Sequence, residues 1–255
     1  MNYLRAAHNW GHASVRAVFY GTMGTAVGWL PGMRRFTHWC MHQWCSGSAN
    51  ALKINRTLVD GERLAETGQA IMIANHLSTL DVLVLGSFLD RDFRWLAKSS
   101  LFNVPFSGWY LRNAGHIPVH RGKDAQDRNR QIGEHVHRVV KEGASVLFFP
   151  EGTRSTDGQL KDFRMGAFLS AVREDLPVLP LVIRGTHELM AAGAKDLAIR
   201  ADRSCSISVL DPIHPSSIGL DGELHERAGR LRDAAYAIYY RELHGASQDG
   251  PNDER

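Results

Sequence analysis

Residues 70–85 run Ala-Ile-Met-Ile-Ala-Asn-His-Leu-Ser-Thr-Leu-Asp-Val-Leu-Val-Leu, and this stretch decides the fold class. The first apolar run predicts a buried strand at 70–74, and the second predicts a helix over 79–89. The polar residues between them mark a strand-to-helix turn. This succession of a short buried strand, a turn and a helix is typical of α/β proteins.

The same alternation continues along the chain. Further strands are predicted at 93–97, 115–119, 145–149, 177–183 and 206–210, and further helices at 127–141, 166–173 and 224–243. A chain of 255 residues is long enough to bury one substantial α/β core. We therefore expect a mixed, largely parallel sheet flanked by helices.

Charge is distributed unevenly between the two ends of the chain. Residues 1–59 contain six Lys or Arg and no Asp or Glu, whereas the remainder contains 24 basic and 27 acidic residues. Four of the six tryptophans also lie in this segment, namely Trp10, Trp29, Trp39 and Trp44. Cations interleaved with aromatic rings favour an anionic membrane surface over a nucleic acid. A buried helical hairpin with a few surface arginines is the alternative.

The uncharged stretch 17–33 is about as long as the shortest membrane span and is interrupted by Gly21, Gly24, Gly28 and Pro31. We therefore predict that residues 1–58 form a helical hairpin that lies on or dips into one leaflet. An α/β domain at 59–244 and a disordered polar tail at 245–255 are expected to follow. Because no signal-peptide cleavage pattern is found, a monotopic or peripheral location on the cytoplasmic face of the inner membrane is predicted. The three cysteines have no disulfide or metal-binding spacing, so reduced thiols and no metal site are expected.

His76 and Asp81 flank the strand-to-helix turn. On a continuous helix, two side chains five residues apart point about 140° apart, so this pair can meet only if His76 precedes the helix. Asp81 at the helix N-terminus would then accept from one ring nitrogen of His76, leaving the other as an acceptor for a substrate hydroxyl. That arrangement is the His-Asp half of a hydrolase triad. Ser78-x-x-Asp81 also resembles a capping box, and the structural role is compatible with the catalytic one.

A second polar cluster follows the strand predicted at 145–149. Residues 148–155 run Phe-Phe-Pro-Glu-Gly-Thr-Arg-Ser, and their polar end is expected at the same carboxyl edge of the sheet as His76. Gly152 allows close backbone approach, Thr153 and Ser155 offer hydroxyls, and Arg154 offers a planar fork suited to phosphate. An ordinary turn is the alternative interpretation of this cluster.

Taken together, the two clusters resemble motifs of the phospholipid/glycerol acyltransferase family. The family's first motif, Asn-His-x4-Asp, matches Asn75, His76 and Asp81, and its third motif matches 149–155 without a departure. Its looser second motif resembles Lys98, Pro105, Gly108 and Arg121, and its fourth resembles the strand at 176–180. Where the family has Phe-Lys-x-Gly, this chain has Arg164 in place of the Lys.

The resemblance implies a glycerolipid acyltransferase fold with an N-terminal two-helix membrane element. It implies that His76 is a general base and Asp81 its partner. The substrate-binding residues that it implies are Asn75, Lys98, Arg121, Glu151, Gly152, Thr153, Arg154 and Ser155. The expected reaction moves a fatty acyl group from an acyl thioester to the sn-2 hydroxyl of lysophosphatidic acid, without an acyl-enzyme or a bound cofactor. The thioester is acyl-CoA or acyl-ACP, so acyl carrier protein is a candidate partner, together with membrane lipid.

Three other functions remain open from the sequence. The first is acyl transfer to another acceptor, such as lyso-ornithine lipid, glycerol 3-phosphate or another lysophospholipid. The second is a lipid ester or thioester hydrolase, although no Gly-x-Ser-x-Gly elbow is present. The third is a non-catalytic membrane-binding module that uses residues 1–58. Nucleic-acid binding is disfavoured because the basic excess is confined to the apolar, aromatic segment.

Overall fold

The computed structural model describes residues 3–28, 30, 32–104, 107–120, 124–155, 157–190, 198–200 and 202–245. Its strands are β1 (Asn55–Val59), β2 (Ile71–Ala74), β3 (Phe93–Lys98), β4 (Ile117–Val119), β5 (Ser145–Phe148), β6 (Val178–Arg184) and β7 (Ser204–Val209). Its helices are α1 (Tyr3–Val27), α2 (Arg34–Ala51), α3 (Glu62–Glu66), α4 (Asp81–Phe88), α5 (Ser107–Asn113), α6 (Ala125–Lys141), α7 (Gly166–Glu174) and α8 (Leu224–His244). Short 3-10 helices occupy Ser99–Asn103 and Pro215–Ile218. Pro105 and Arg121 of the second motif, and the predicted tail beyond residue 245, lie outside the described residues.

One seven-stranded sheet forms the centre of the protein, in the order β1-β7-β6-β2-β5-β3-β4. Every neighbouring pair is parallel except β6 and β7, which are antiparallel. The prediction of a mixed, largely parallel α/β sheet is therefore confirmed. The sequence pattern missed β1 because this edge strand alternates exposed and half-buried residues instead of forming an apolar run.

The central strands alternate their side chains between two hydrophobic cores, one on each face of the sheet. Met72 and Ala74 of β2 belong to the core that α2 and α4 cover. Ile71 and Ile73 of the same strand belong to the opposite core, which α6, α7 and α8 cover. Because helices cover both faces, β2 and β5 are buried along their whole length, and this explains their uninterrupted apolar sequences.

The first two helices form a hairpin, and α2 joins it to the sheet domain by packing on α4. Met41, Cys45 and Ala49 of α2 are buried in the core that α4 shares. The two helices approach closely at Gly86, where a Cβ atom would lie 2.5 Å from the sulfur of Cys45. Of the helices described, none combines the length and the apolarity that crossing a bilayer requires.

Candidate active site

Three neighbouring parallel strands bring the sequence motifs to one edge of the sheet. β2 lies between β5 and β6, and both pairings are parallel. Residues that follow these strands therefore meet at a common carboxyl edge. His76 follows β2, Glu151 follows β5 and Thr186 follows β6. The first and third motifs lie together at this edge, and the loop after β6 joins them.

His76 and Asp81 form a hydrogen-bonded pair across the turn between β2 and α4. The distance from His76 Nδ1 to Asp81 Oδ2 is 2.7 Å. The same oxygen accepts the backbone N–H groups of Leu77 at 2.7 Å and of Ser78 at 2.9 Å. Because the carboxylate is surrounded by donors, Nδ1 carries the ring hydrogen and Nε2 of the neutral ring is an acceptor. Asp81 is fully buried, whereas 19% of the His76 side chain is exposed.

The third motif holds the backbone of His76 in place. The N–H of His76 donates to Glu151 Oε1 at 2.8 Å, and its carbonyl accepts the N–H of Ser155 at 2.7 Å. The imidazole ring stacks on Phe149, with 4.1 Å between ring centroids and 23° between the planes. These contacts fix both the position and the ring plane of His76 relative to the turn after β5.

Glu151 is buried and ties two loops together. Its second oxygen, Oε2, accepts the backbone N–H of Lys161 at 3.2 Å, so both carboxylate oxygens bind backbone groups. Burial raises the pKa of Glu151, and the hydrogen bonds from His76 and Lys161 oppose this rise. The resemblance assigned Glu151 to the substrate, whereas the geometry gives it contacts that brace the site.

Two other residues of the motifs also bond to protein groups. Asn75 is 1% exposed, and its side chain donates to the carbonyl of Ile183 at 2.9 Å and accepts the N–H of Ile183 at 2.7 Å. The hydroxyl of Ser155 is buried and donates to Asp157 at 2.7 Å. Neither residue lines the cavity described next, and their binding of substrate stays a prediction.

His76 lines a cavity of about 1440 Å³ whose walls differ in character. Apolar residues from the hairpin form one part of the wall, including Ala17, Val18, Cys40 and Met41, and sheet-domain residues such as Trp95, Ile132 and Phe148 continue it. Three cationic side chains, Lys98, Arg128 and Arg164, also line the cavity, and the described lining residues include no Asp or Glu. A ligand with an apolar chain and an anionic group is complementary to these walls.

Gly152 and Arg164 shape the wall next to His76. Gly152 has a φ of 70°, and a Cβ atom at this position would lie 2.6 Å from Nε of Arg164. Glycine is therefore needed both for its backbone conformation and for the close approach of the guanidinium group. Thr153 also lines the cavity.

The predicted cations occupy different environments. Lys98 lines the cavity, whereas Arg154 is exposed and does not belong to the lining, and Arg121 lies outside the described residues. The sequence had marked Arg164 only as a departure from a motif, and it gave no signal for Arg128, which α6 brings to the cavity. The sequence pattern predicted a helix at 127–141 but not which of its polar residues would meet the site.

The three cysteine thiols are poorly suited to act as the nucleophile of a covalent hydrolase. Cys40, Cys45 and Cys205 are all free and buried. Burial raises the pKa of Cys40 and Cys205 to about 11 and that of Cys45 further, which disfavours thiolate formation at neutral pH. Within the described residues, no group of three or more His, Cys, Asp or Glu side chains could hold a metal ion.

The fold and site define an α/β protein with a His-Asp pair at the carboxyl edge of its sheet, beside a cavity with apolar and cationic walls. The model of the Acyltransferase family matches residues 56–184, about half of the chain. The chain therefore belongs to the Acyltransferase family.

Proteins with named activities are similar to this chain. It is 33% identical over 189 residues to the chloroplastic 1-acyl-sn-glycerol-3-phosphate acyltransferase LPAT1 of Arabidopsis thaliana. The aligned region covers 73% of this chain and 51% of that protein. It is 30% identical over 222 residues to lyso-ornithine lipid O-acyltransferase of Pseudomonas aeruginosa, covering 82% and 78%. The chain spans about half the length of the chloroplastic relatives that it matches.

A solved structure shares the fold of almost the whole chain. The crystal structure of the 1-acyl-sn-glycerophosphate (LPA) acyltransferase PlsC from Thermotoga maritima matches with a TM-score of 0.76 and covers 98% of each chain. The sequences are 23% identical, and at this level the likeness shows a common fold.

Proposed function

We propose that this protein transfers a fatty acyl group from an acyl thioester to the free sn-2 hydroxyl of lysophosphatidic acid, giving phosphatidic acid for phospholipid biosynthesis. One observation carries the proposal: His76, with Asp81 on Nδ1, lines a cavity that has both an apolar and a cationic wall. Lysophosphatidic acid has an acyl chain, a hydroxyl and a phosphate, which match these three features. The name of the Arabidopsis relative supports the same acceptor.

In the proposed mechanism, Nε2 of His76 takes the proton of the acceptor hydroxyl as its oxygen attacks the thioester carbonyl. The C–S bond then breaks, and the protonated ring returns the proton to the leaving thiolate, so ester and free thiol are formed in equal amounts. Asp81 holds the ring tautomer and stabilises the imidazolium. No covalent acyl-enzyme is required, because the attacking oxygen belongs to the lipid.

The acceptor phosphate is proposed to bind the cationic wall of the cavity. Lys98, Arg128 and Arg164 supply this positive charge, and the planar guanidinium groups suit a phosphate. Arg121 and Arg154 remain predicted phosphate contacts from the motifs. The donor is proposed to be acyl-CoA or acyl carrier protein, and the protein itself binds no resident cofactor.

Membrane association of the hairpin is a further part of this proposal. Large apolar side chains are exposed on the two helices of the hairpin and between them, namely Trp10, Val15, Val18, Phe19, Leu30 and Trp39. Leu101, Val104 and Trp109, from the segment after β3, are exposed as well. Apolar side chains that water would otherwise contact, in a segment with six Lys or Arg and no Asp or Glu, suit an anionic lipid surface. We place the protein on the cytoplasmic face of the inner membrane as a monotopic or peripheral protein.

The direct test incubates the purified protein, in vesicles, with acyl thioester and labelled lysophosphatidic acid, and measures phosphatidic acid and free thiol together. Equal release of both is expected from the wild-type protein. His76→Ala should abolish both signals, because removal of the general base is worth about 100- to 10,000-fold in rate. His137→Ala is the matched control, since His137 is exposed on α6 and bonds to Glu174.

The outcomes separate the alternatives. Thiol release without lipid product indicates hydrolysis or another acceptor, and retained turnover in His76→Ala contradicts the mechanism. Lyso-ornithine lipid is the second candidate acceptor, because the Pseudomonas relative bears that activity in its name. This lipid lacks a phosphate, so the cationic wall favours lysophosphatidic acid. Faster transfer to lyso-ornithine lipid would reverse the assignment.

A further inference from the structure

The loop after β6 contributes a residue that no motif of the sequence marked. Thr186 is fully buried, and its hydroxyl Oγ1 lies 2.5 Å from Asp81 Oδ1. Asp81 Oδ2 is occupied by His76 and by the backbone of the turn, so Thr186 binds the opposite oxygen of the same carboxylate. The distance is in the range of an O–H donor bound to a charged carboxylate.

The position of Thr186 is set by the end of β6. Gly185 has a φ of 78°, and a Cβ atom there would lie 2.4 Å from the carbonyl oxygen of Ser204 in β7. Only glycine fits this turn, which directs the next residue toward Asp81. Asn75 holds Ile183 of the same strand through two backbone hydrogen bonds. The end of β6 therefore contacts the first motif on both sides of His76. Ile183 bonds to Asn75 before it, and Thr186 bonds to Asp81 after it.

We propose that Thr186 is a positioning residue that orients the Asp81 carboxylate and thereby aligns and tunes His76. The inference rests on the proposed function, because it assigns Thr186 a role in that reaction. The hydroxyl holds Oδ1 so that Oδ2 stays in line with Nδ1 of the ring. It also withdraws negative charge from the carboxylate, which lowers its attraction for a protonated ring. Thr186 does not line the cavity, so its proposed role is exerted through Asp81.

Other titratable groups near the pair are left unchanged by a substitution at position 186. Glu151 accepts the backbone N–H of His76, and the charge of Asp81 acts on Cys205. Lys161 interacts with Glu151 from the following loop. A change in the pH profile that depends on the Thr186 hydroxyl therefore reports on the contact with Asp81.

The test compares Thr186→Val, which removes the hydroxyl at nearly constant shape, with the wild-type protein. We expect kcat to fall about 10- to 100-fold with KM for lysophosphatidic acid unchanged, the size expected for loss of one hydrogen bond to a charged group. The acid limb of the kcat profile should move to higher pH, because the carboxylate keeps more charge facing the ring. Thr186→Ser retains the donor and should restore both the wild-type rate and the wild-type profile.

Two further variants serve as the control and the substitute in this test. Thr67→Val is the matched control, since the Thr67 hydroxyl donates to the carbonyl of Arg63 at 2.6 Å, outside the cavity lining, and should leave kcat and the profile unaltered. Thr186→Ala replaces the valine variant if valine disturbs folding, and the same loss is expected. A folded Thr186→Val or Thr186→Ala variant with wild-type kcat and profile overturns the inference, as does a folded serine variant that is equally impaired.

Proton NMR of the His76 ring separates this inference from the proposed function, because it needs no substrate. In Thr186→Val the ring should titrate at higher pH than in the wild-type protein. An unchanged titration overturns the role of Thr186 even if transfer to lysophosphatidic acid is observed. A shifted titration supports it even if the acceptor proves to be another lipid.

Discussion

His76 is held by four contacts, one from Asp81 at the start of α4 and three from the third motif at 149–155. Asp81 binds its ring, Phe149 stacks on it, and Glu151 and Ser155 bind its backbone N–H and carbonyl. In the proposed mechanism the acceptor nitrogen of the base must point at the proton to be removed, and these contacts supply the restraint that this requires. With these contacts in place, His76 still lines the cavity.

Gly152 offers a sharp test of the cavity wall at the level of one residue. Gly152→Ala should cost about 1–2 kcal/mol in stability because its φ of 70° is left-handed. The new Cβ would also displace the Arg164 guanidinium, which approaches within 2.6 Å. We expect KM for lysophosphatidic acid to rise at least about tenfold, the effect of losing one charge-assisted contact.

Gly143→Ala is the matched control for this experiment. Gly143 has a φ of 83°, and a Cβ there would meet nothing within 4 Å. The control should share the loss of stability, measured by chemical unfolding, and keep the wild-type KM. Equal KM values in the two variants would show that Arg164 does not contact the acceptor.

At the scale of the secondary structure elements, the buried hydroxyl of Tyr239 bonds α8 to two strands of the sheet. Tyr239 donates to the carbonyl of Ile73 in β2 at 2.7 Å and accepts the N–H of Leu181 in β6 at 3.1 Å. The tyrosine hydroxyl therefore bridges a backbone donor of β6 and a backbone acceptor of β2.

Tyr239→Phe should therefore lower the free energy of unfolding by about 1–3 kcal/mol, because it leaves buried backbone groups without a partner. Tyr236→Phe is the control, since this ring packs edge-on against Phe163 and is only partly buried. The control should change the free energy of unfolding by less than about 0.5 kcal/mol. Urea unfolding of both variants provides the comparison, and equal losses would remove the special role of Tyr239.

The elements differ in how well the sequence predicts them, and the reason is burial. β2 and β5 are covered on both faces, so their apolar runs were recognised within one residue at each end. The helix after β2 begins at Asp81 instead of residue 79, because the turn uses the backbone of Ser78 to bind the Asp81 carboxylate. The edge strand β1 and the short helix α5 have too few buried residues for a clear pattern.

The residues of the site also differ in how well the sequence predicts them, and here the reason is their separation along the chain. A five-residue spacing predicted that His76 and Asp81 meet only around a turn, which is a local property that sequence can contain. Thr186 lies 105 residues from Asp81, and only the register of β6 on β2 brings them together. A single threonine after a strand has no distinguishing pattern, so the contact could be found only from the structure.

At the scale of the whole molecule, the hairpin contributes to the cavity as well as to the surface. Ala17 and Val18 of α1 line the cavity, while Val15 and Phe19 on the same helix are 70% and 60% exposed. A lipid acceptor is poorly soluble in water, so if α1 binds the membrane as proposed, the same helix would connect the lipid surface to the cavity wall. This arrangement is the physical basis for linking membrane binding to turnover.

The proposed membrane contact of α1 predicts that changes to its exposed side chains reduce vesicle binding without changing the chemical step. The double variant Val15→Glu/Phe19→Glu should reduce sedimentation with phosphatidylglycerol vesicles at least about tenfold, because each buried apolar side chain contributes about 1.5–3 kcal/mol. Turnover of a soluble, short-chain lysophosphatidic acid should remain unchanged, since neither residue lines the cavity. Leu220→Glu is the control, because Leu220 is 64% exposed but lies in the segment before α8. Equal sedimentation of the double variant and the control would show that α1 does not face the membrane, and the exposed residues after β3 would then be the surface to test.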